Sequence, residues 1–181
     1  MEARGGILII EDDADVARSA RLALSPHVAR IELATSPLDL EEQLAASDID
    51  AVLLDMNFVS GERGGGAGLN ALARIQAVDS TLAVVLMTAY GGVALAVESL
   101  KRGAVDFILK PWSNDKLIAA VAAARAITKG RRDKETVQLN ALERGAIERA
   151  LNRHAGNVSL AATDLGLSRP ALYRRMSKHG L

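Results

Sequence analysis

The chain predicts an α/β fold around a parallel sheet, followed by a small all-α unit. Three observations carry this. Short apolar runs alternate with segments of helical periodicity over about the first 125 residues, the pattern of strands buried on both faces by covering helices. Four of the five runs end in a chemically distinctive polar residue, and in such sheets a ligand sits beyond the carboxyl ends of the strands. The remaining residues contain no strand-like run and gather basic side chains on short helical patterns.

Ile7-Leu8-Ile9-Ile10 predicts a strand over 6–11 that delivers Glu11-Asp12-Asp13, with a helix over 14–25. A strand over 29–34 ends in Thr35-Ser36 and adds no evident chemistry; Ser36-Pro37 offers N-cap chemistry to a helix over 37–46. Ala51-Val52-Leu53-Leu54 predicts a strand over 51–56, and the apolar run ends in Asp55. The glycine-rich stretch Ser60–Gly68 has neither a Gly-Lys-Ser/Thr ending nor a GxGxxG frame, so it reads as a loop rather than a phosphate cradle. A helix over 69–78, a strand over 82–88 ending at Thr88, and a helix over 93–103 closed by Gly103 follow. The last strand, 106–109, leads into Lys110-Pro111, and Ser113-Asn114 starts a helix over 114–128.

Residues 128–138 are polar, contain Gly130 and read as a linker between a first domain (1–127) and a second (139–181). The second opens with a helix over 139–154, whose Leu139, Leu142, Ala146, Ile147, Ala150 and Leu151 recur at three- and four-residue spacing. Gly156-Asn157 breaks it. A short helix over 158–165, a turn at Gly166 and a last helix to His179 make a helix-turn-helix pattern.

The chain has no cysteine, which excludes disulfides and thiolate metal sites. Its three histidines are scattered in sequence, which argues against a histidine metal cluster. No stretch approaches the ~20 apolar residues of a membrane span, and the first residues lack the apolar segment of a signal peptide. The expectation is a soluble, cytoplasmic protein. Zero net charge hides an asymmetry: 17 acidic against 11 basic residues up to position 125, and 5 against 11 beyond it. A basic tail on an acidic body suits a polyanion partner for the tail.

Three acids, a hydroxyl and a lysine at one sheet edge suit a divalent cation and a phosphoryl group. Asp55 is the expected nucleophile, since a carboxylate can form an acyl phosphate. Transfer of that kind depends on positioning and charge neutralisation, hence on Mg2+. Mg2+ takes hard oxygen ligands and keeps waters, so Glu11 and Asp12 with Asp55 suffice. Lys110 supplies a point charge and Thr88 a hydroxyl for a phosphate oxygen.

Ile-Ile-Glu11-Asp12-Asp13, Leu-Leu-Asp55-Met-Asn57, Leu-Met-Thr88-Ala89 and Asp106-Phe-Ile-Leu-Lys110-Pro111 resemble the receiver domains of two-component response regulators over about residues 5–126. The resemblance implies a flavodoxin-like five-stranded sheet of order 2-1-3-4-5 and Asp55 as phosphoacceptor from a histidine kinase. It implies Mg2+ held by Asp12, Asp55 and the backbone carbonyl of Asn57, with Glu11 assisting through water. Thr88 and Phe107 would be the switch pair, Lys110 would contact the phosphate, and Ala89 would leave room for it. Glu11 stands where an aspartate is commoner, and Phe107 lacks the hydroxyl of the tyrosine often found there, which makes its switch steric.

Gly156 to Met176 resembles the C-terminal helix-turn-helix of the Fis protein and of nitrogen-regulatory response regulators. Ala161, Ala162, Leu165, Leu167, Leu172 and Met176 provide a small core, Ser168 an N-cap, and Pro170 falls in the first turn, where a missing N–H costs little. Arg169 and Tyr173 are the candidates for base readout, and Arg174, Arg175 and Lys178 for phosphate. Asn157 and Ser159, with Ser168, lie near helix N-termini, where backbone N–H groups favour phosphate. Relatives of this receiver type usually carry an ATPase between the two domains; here only about a dozen residues separate them, with no Walker motif.

The expectation is a DNA-binding response regulator, not an enzyme beyond its own phosphorylation and dephosphorylation. Phosphorylation of Asp55 would promote a homodimer through the face of 93–103, 106–109 and 114–128, and the helix over 139–154 is where Fis-type modules pair. Two rivals stand. A haloacid-dehalogenase-like phosphatase would need a second acid two residues after its nucleophile, where Asn57 stands. A phosphorylation-independent architectural DNA-binding protein would leave the acid, Thr and Lys set without a task.

Overall fold

Each predicted apolar run is a strand, because an extended chain with both faces apolar is buried best between two helical layers. The computed structural model describes residues 5–38, 40–46, 48–56, 66–89 and 93–181. The strands are β1 (Gly6–Ile10), β2 (Arg30–Ala34), β3 (Ile49–Asp55), β4 (Ala83–Thr88) and β5 (Asp106–Leu109). The helices are α1 (Ala14–Leu24), α2 (Leu40–Ala46), α3 (Gly66–Val78), α4 (Val93–Lys101), α5 (Asn114–Arg153), α6 (Val158–Asp164) and α7 (Arg169–His179). The sheet is parallel throughout, in the order β2-β1-β3-β4-β5. That is the flavodoxin-like arrangement expected of the first domain.

Alternate side chains of each strand enter opposite layers, as the two-residue period requires. Leu8, Ile10, Val52, Leu54, Val84 and Leu86 pack with Leu40 of α2 and with Leu69, Leu72 and Ile75 of α3. Ile7, Ile9, Ala51, Leu53, Val85 and Met87 pack with Ala20 and Leu24 of α1 and with Leu117, Val121 and Ala124 of α5. Register aligns the strand ends. Ile10 faces Leu54, Asp55 faces Met87, and Thr88 faces Leu109. Glu11, Asp55, Thr88 and Lys110 therefore emerge along one edge of the sheet.

Helix boundaries differ from expectation in three places. The helix expected from Pro37 begins at Leu40. The carbonyls of Pro37 and Leu38 instead accept from the Arg74 guanidinium of α3, at 2.7 and 3.4 Å, while the same group binds Glu41 at 2.9 and 2.6 Å. Helix α3 starts at Gly66, inside the stretch read as loop. A Cβ on Gly68 would stand 2.7 Å from Met56 Cα and 3.0 Å from its carbonyl oxygen, so glycine is what lets α3 approach β3. Gly103, in the left-handed region (φ 97°), closes α4 as expected, with Ala104 N–H donating to the Ser99 carbonyl at 3.1 Å.

The third difference is the linker. Residues 128–138 are helical, and α5 runs unbroken over 40 residues. Thr128, expected at the start of a polar connection, is fully buried, and its hydroxyl accepts from the Ala83 N–H at 2.9 Å. The polar residues beyond it are mostly good helix formers, so the absence of an apolar stripe does not end the helix.

The chain divides into two compact units, Met1–Arg131 and Arg132–Leu181. In the second, Ile147 and Ala150 of α5, Ala161 and Ala162 of α6 and Leu172 of α7 form the core, flanked by Leu151, Val158, Leu165, Leu167 and Met176. Leu139 and Leu142, on the predicted apolar stripe, are each 60% exposed.

Candidate phosphoacceptor site and nucleic-acid interface

Asp55, the last residue of β3, is buried to 3% exposure, and Glu11, following β1, to 1%. Two burials of negative charge side by side require a counter-charge. Lys110, following β5, supplies it: its Nζ lies 2.6 Å from Glu11 Oε2 and 3.0 Å from Asp55 Oδ1. Its position is fixed by the backbone, since the Lys110 N–H donates to the Thr88 carbonyl at 2.8 Å; the Lys110–Pro111 peptide is cis. Asp55 Oδ1 also accepts the Met56 N–H at 2.9 Å. Both contacts fall on Oδ1, which leaves Oδ2 without a partner among the described residues.

Burial pushes the Glu11 carboxyl above the ordinary carboxylate range; Lys110 opposes the rise and the neighbouring Asp55 charge adds to it. Asp12 is exposed, and Asp13 is spent on capping α1, its Oδ1 accepting from the N–H groups of Asp15 and Val16 at 2.9 and 3.1 Å. Carboxylate oxygens of Glu11, Asp12 and Asp55 lie within 4.8 Å of one another. Hard oxygen donors at that spacing fit a small divalent cation that retains water. A cavity of about 380 Å³ opens onto these acids, Ala89 and Lys110. Thr88 is buried at the same edge, and Phe107 is half-buried against the core layer that also receives Leu95 of α4. Asn57 lies outside the described residues. The structure thus brings together Glu11, Asp12, Asp55, Ala89 and Lys110 around one cavity, with Thr88 at the end of the neighbouring strand β4. The Met56 N–H contact to Asp55 has no sequence signal, because a backbone donor looks alike at every residue.

In the second unit, the expected residues differ in their partners. Asn157 caps α6, its Oδ1 accepting from Ser159 and Leu160 N–H at 3.1 and 3.2 Å, and Ser168 caps α7 through Ala171 N–H at 3.4 Å. Ser159 is exposed, with its carbonyl accepting from Thr163. Arg169 extends over the Tyr173 ring, 5.6 Å from its centre, with Nη2 3.4 Å from the phenol oxygen. Arg174 is exposed and makes no ion pair among the described residues. Arg175 and Lys178 differ: both pair with Glu143 of α5, at 3.1 and 3.2 Å. Glu143, 32 residues before Arg175, was not singled out by sequence reasoning, and nothing in its local pattern distinguishes it from a solvated acid.

Residues 7–122 match the response regulator receiver domain family, and residues 138–179 match the family described as bacterial regulatory protein, Fis family. The chain belongs to the response regulators. This response regulator is 31% identical to the transcriptional regulatory protein FixJ of Azorhizobium caulinodans, over 88% of its own length and 77% of FixJ. It is 32% identical to the transcriptional regulatory protein ZraR of Escherichia coli K12, over 78% of its length, but spans only 31% of ZraR. A receiver domain from Bacteroides fragilis, solved by crystallography, is 36% identical and superposes with a TM-score of 0.61, covering 68% of this chain and 98% of that one. Among the described residues no helix of the regulator is long and apolar enough to cross a membrane.

Proposed function

We propose that this chain is a DNA-binding two-component regulator in which Asp55 stores a phosphoryl group received from a histidine kinase. The observation that carries the reading is Asp55 itself: a buried carboxylate with one oxygen held by Lys110 and the Met56 N–H, and the other without a partner among the described residues. Oδ2 attacks the phosphorus of phosphohistidine, the P–N bond breaks, the imidazole leaves with the electron pair, and an acyl phosphate forms. Glu11, Asp12 and Asp55 would hold Mg2+, with the Asn57 carbonyl as a further ligand; when bound, the ion neutralises the phosphoryl oxygens. Lys110 pairs with the new phosphate and Thr88 donates its hydroxyl to it, drawing β4 and β5 ends together. Phe107 repacks against the core beneath α4.

The added charge of about −1.5 to −2 is the trigger for pairing. Val97 and Leu100 of α4 and Leu109 of β5, each more than 40% exposed, support the α4-β5-α5 face as the pairing surface. Exposed Leu139 and Leu142 support a second contact between copies along α5. Two copies of α7 then enter successive major grooves of duplex DNA, roughly 10 bp apart. Arg169 and Tyr173 meet base edges, and Arg174 meets phosphate.

Incubation with a small phosphodonor and Mg2+ should add one phosphoryl group per chain, seen by intact mass, and Asp55→Asn should remove the label. Multiple turnovers of a phosphate ester would instead make the protein a phosphatase. Absence of any label, with DNA binding intact, would make it an architectural protein with a silent receiver.

A further inference from the structure

Glu143 is surrounded by the C-terminal half of α7. Arg175 Nε lies 3.1 Å from its Oε1, and Lys178 Nζ and His179 Nε2 lie 3.2 and 2.7 Å from its Oε2. The three contacts are not equivalent. The His179 side chain is 7% exposed and serves as an anchor, whereas Arg175 and Lys178 are 44% and 56% exposed and within reach of a ligand. Hydrogen bonds from His179 and Lys178 hold the Glu143 carboxyl below the ordinary carboxylate range, so it is ionised at neutral pH. On the same helix, Arg169 and Arg174 make no ion pair among the described residues.

We propose that Glu143 is a built-in counter-charge for the DNA-reading helix: it competes with the phosphate backbone for Arg175 and Lys178. The inference rests on the DNA-binding reading above. Phosphate contacts supply sequence-independent affinity through counterion release, while base contacts supply discrimination. Occupying two cations with an internal carboxylate lowers the first and spares the second, which lies with Arg169 and Tyr173 at the other end of α7. Exposed ion pairs are weak, so the competition is graded. A DNA phosphate can displace the carboxylate, but only after overcoming a local negative charge.

The test uses the full chain and a labelled duplex of arbitrary sequence, titrated at several salt concentrations. Glu143→Gln keeps the side-chain shape and an acceptor for His179 while removing the charge. It should tighten binding about tenfold near 0.1 M salt and steepen the dependence of log K on log salt by up to about 2, at roughly 0.9 per phosphate contact. A purely structural role for Glu143 predicts the opposite, weaker binding with an unchanged or shallower slope, and that result would overturn the proposal. The pair Arg175→Gln/Lys178→Gln should cost more affinity in the Glu143→Gln background than in the wild type; equal costs mean no competition. If Glu143→Gln loses its helical circular dichroism, the double variant alone decides. A slope shallower than wild type's by about 2 in that double variant would show those cations already on phosphate and refute the counter-charge; a smaller change upholds it. Failure of every variant to bind duplex at low salt would instead overturn the DNA-binding reading.

Discussion

At the scale of single residues, the proposed phosphoacceptor edge is a problem of charge balance. Glu11 and Asp55 are both buried, and Lys110 neutralises them at 2.6 and 3.0 Å. Removing that lysine leaves two uncompensated carboxylates, so Lys110→Met should destabilise the metal-free protein by about 3 kcal/mol. Urea unfolding of the double variant Lys110→Met/Glu11→Gln should return much of that loss; a loss equal to the single variant's would refute the balance. Glu11 makes a second prediction through its raised pKa. The folded state holds the Glu11 proton more tightly than the unfolded chain, so its contribution is fully present below the ordinary carboxylate value of 4.5 and is lost as pH rises through the elevated folded value. Glu11→Gln should therefore gain stability relative to wild type as pH rises from about 4 toward neutrality, in the presence of a chelator. The same variant should bind Mg2+ about tenfold more weakly, read by Mg2+-dependent stabilisation, since a residue that helps position a metal ion typically contributes 10–100-fold. A pH-independent difference between the two proteins would remove the cause assigned here.

At the scale of elements, two glycine-related positions make predictions of opposite sign. Gly68 lets α3 lie against the backbone of Met56, next to Asp55. Gly68→Ala would force α3 away, at a cost of about 1–3 kcal/mol, and should slow phosphodonor labelling of Asp55. Ala155, in the turn after α5, has φ 50°, in the left-handed region, where Gly156 N–H donates to the Leu151 carbonyl at 2.8 Å. Ala155→Gly relieves a conformation that L-residues resist and should stabilise the second unit by about 0.5–1 kcal/mol, seen as a higher unfolding midpoint of residues 132–181. These elements also show what a sequence discloses. The strands were legible because both faces of each run are buried, so nearly every side chain reports the environment. The site was legible for the same reason: the strand ends deliver Glu11, Asp55, Thr88 and Lys110 to one edge whatever the loops do. The middle of α5 was not. Its residues past Thr128 are mostly exposed, so no periodicity records them, and Gly130 imitates a break although a Cβ there would meet nothing within 4 Å. The tie from Glu143 to Arg175, Lys178 and His179 was invisible because it depends on how two helices pack.

At the scale of the whole molecule, α5 is the described element that belongs to both compact units, with Thr128 fixing it to β4 on one side of the division and Ile147 and Ala150 in the second core on the other. Where phosphorylation of Asp55 alters DNA binding, as proposed, this helix is one covalent route for the signal, and a broken backbone hydrogen bond would weaken it. Gly130 sits next to the division, exposed and with nothing within 4 Å of where a Cβ would stand, so it is the place to separate coupling from folding. Gly130→Pro removes a helical N–H and costs about 3 kcal/mol of local helix, without touching Asp55 or α7. The variant should still be labelled by a phosphodonor at the wild-type rate and should still bind duplex DNA in its unphosphorylated form. What it should lose is the difference in DNA affinity between phosphorylated and unphosphorylated protein. Gly130→Ala, which favours the helix by about 1 kcal/mol, should keep or enlarge that difference. Equal phosphorylation-dependent gains in the proline and alanine variants would show that the signal reaches DNA by pairing of the receiver units alone, with α5 serving only as a tether.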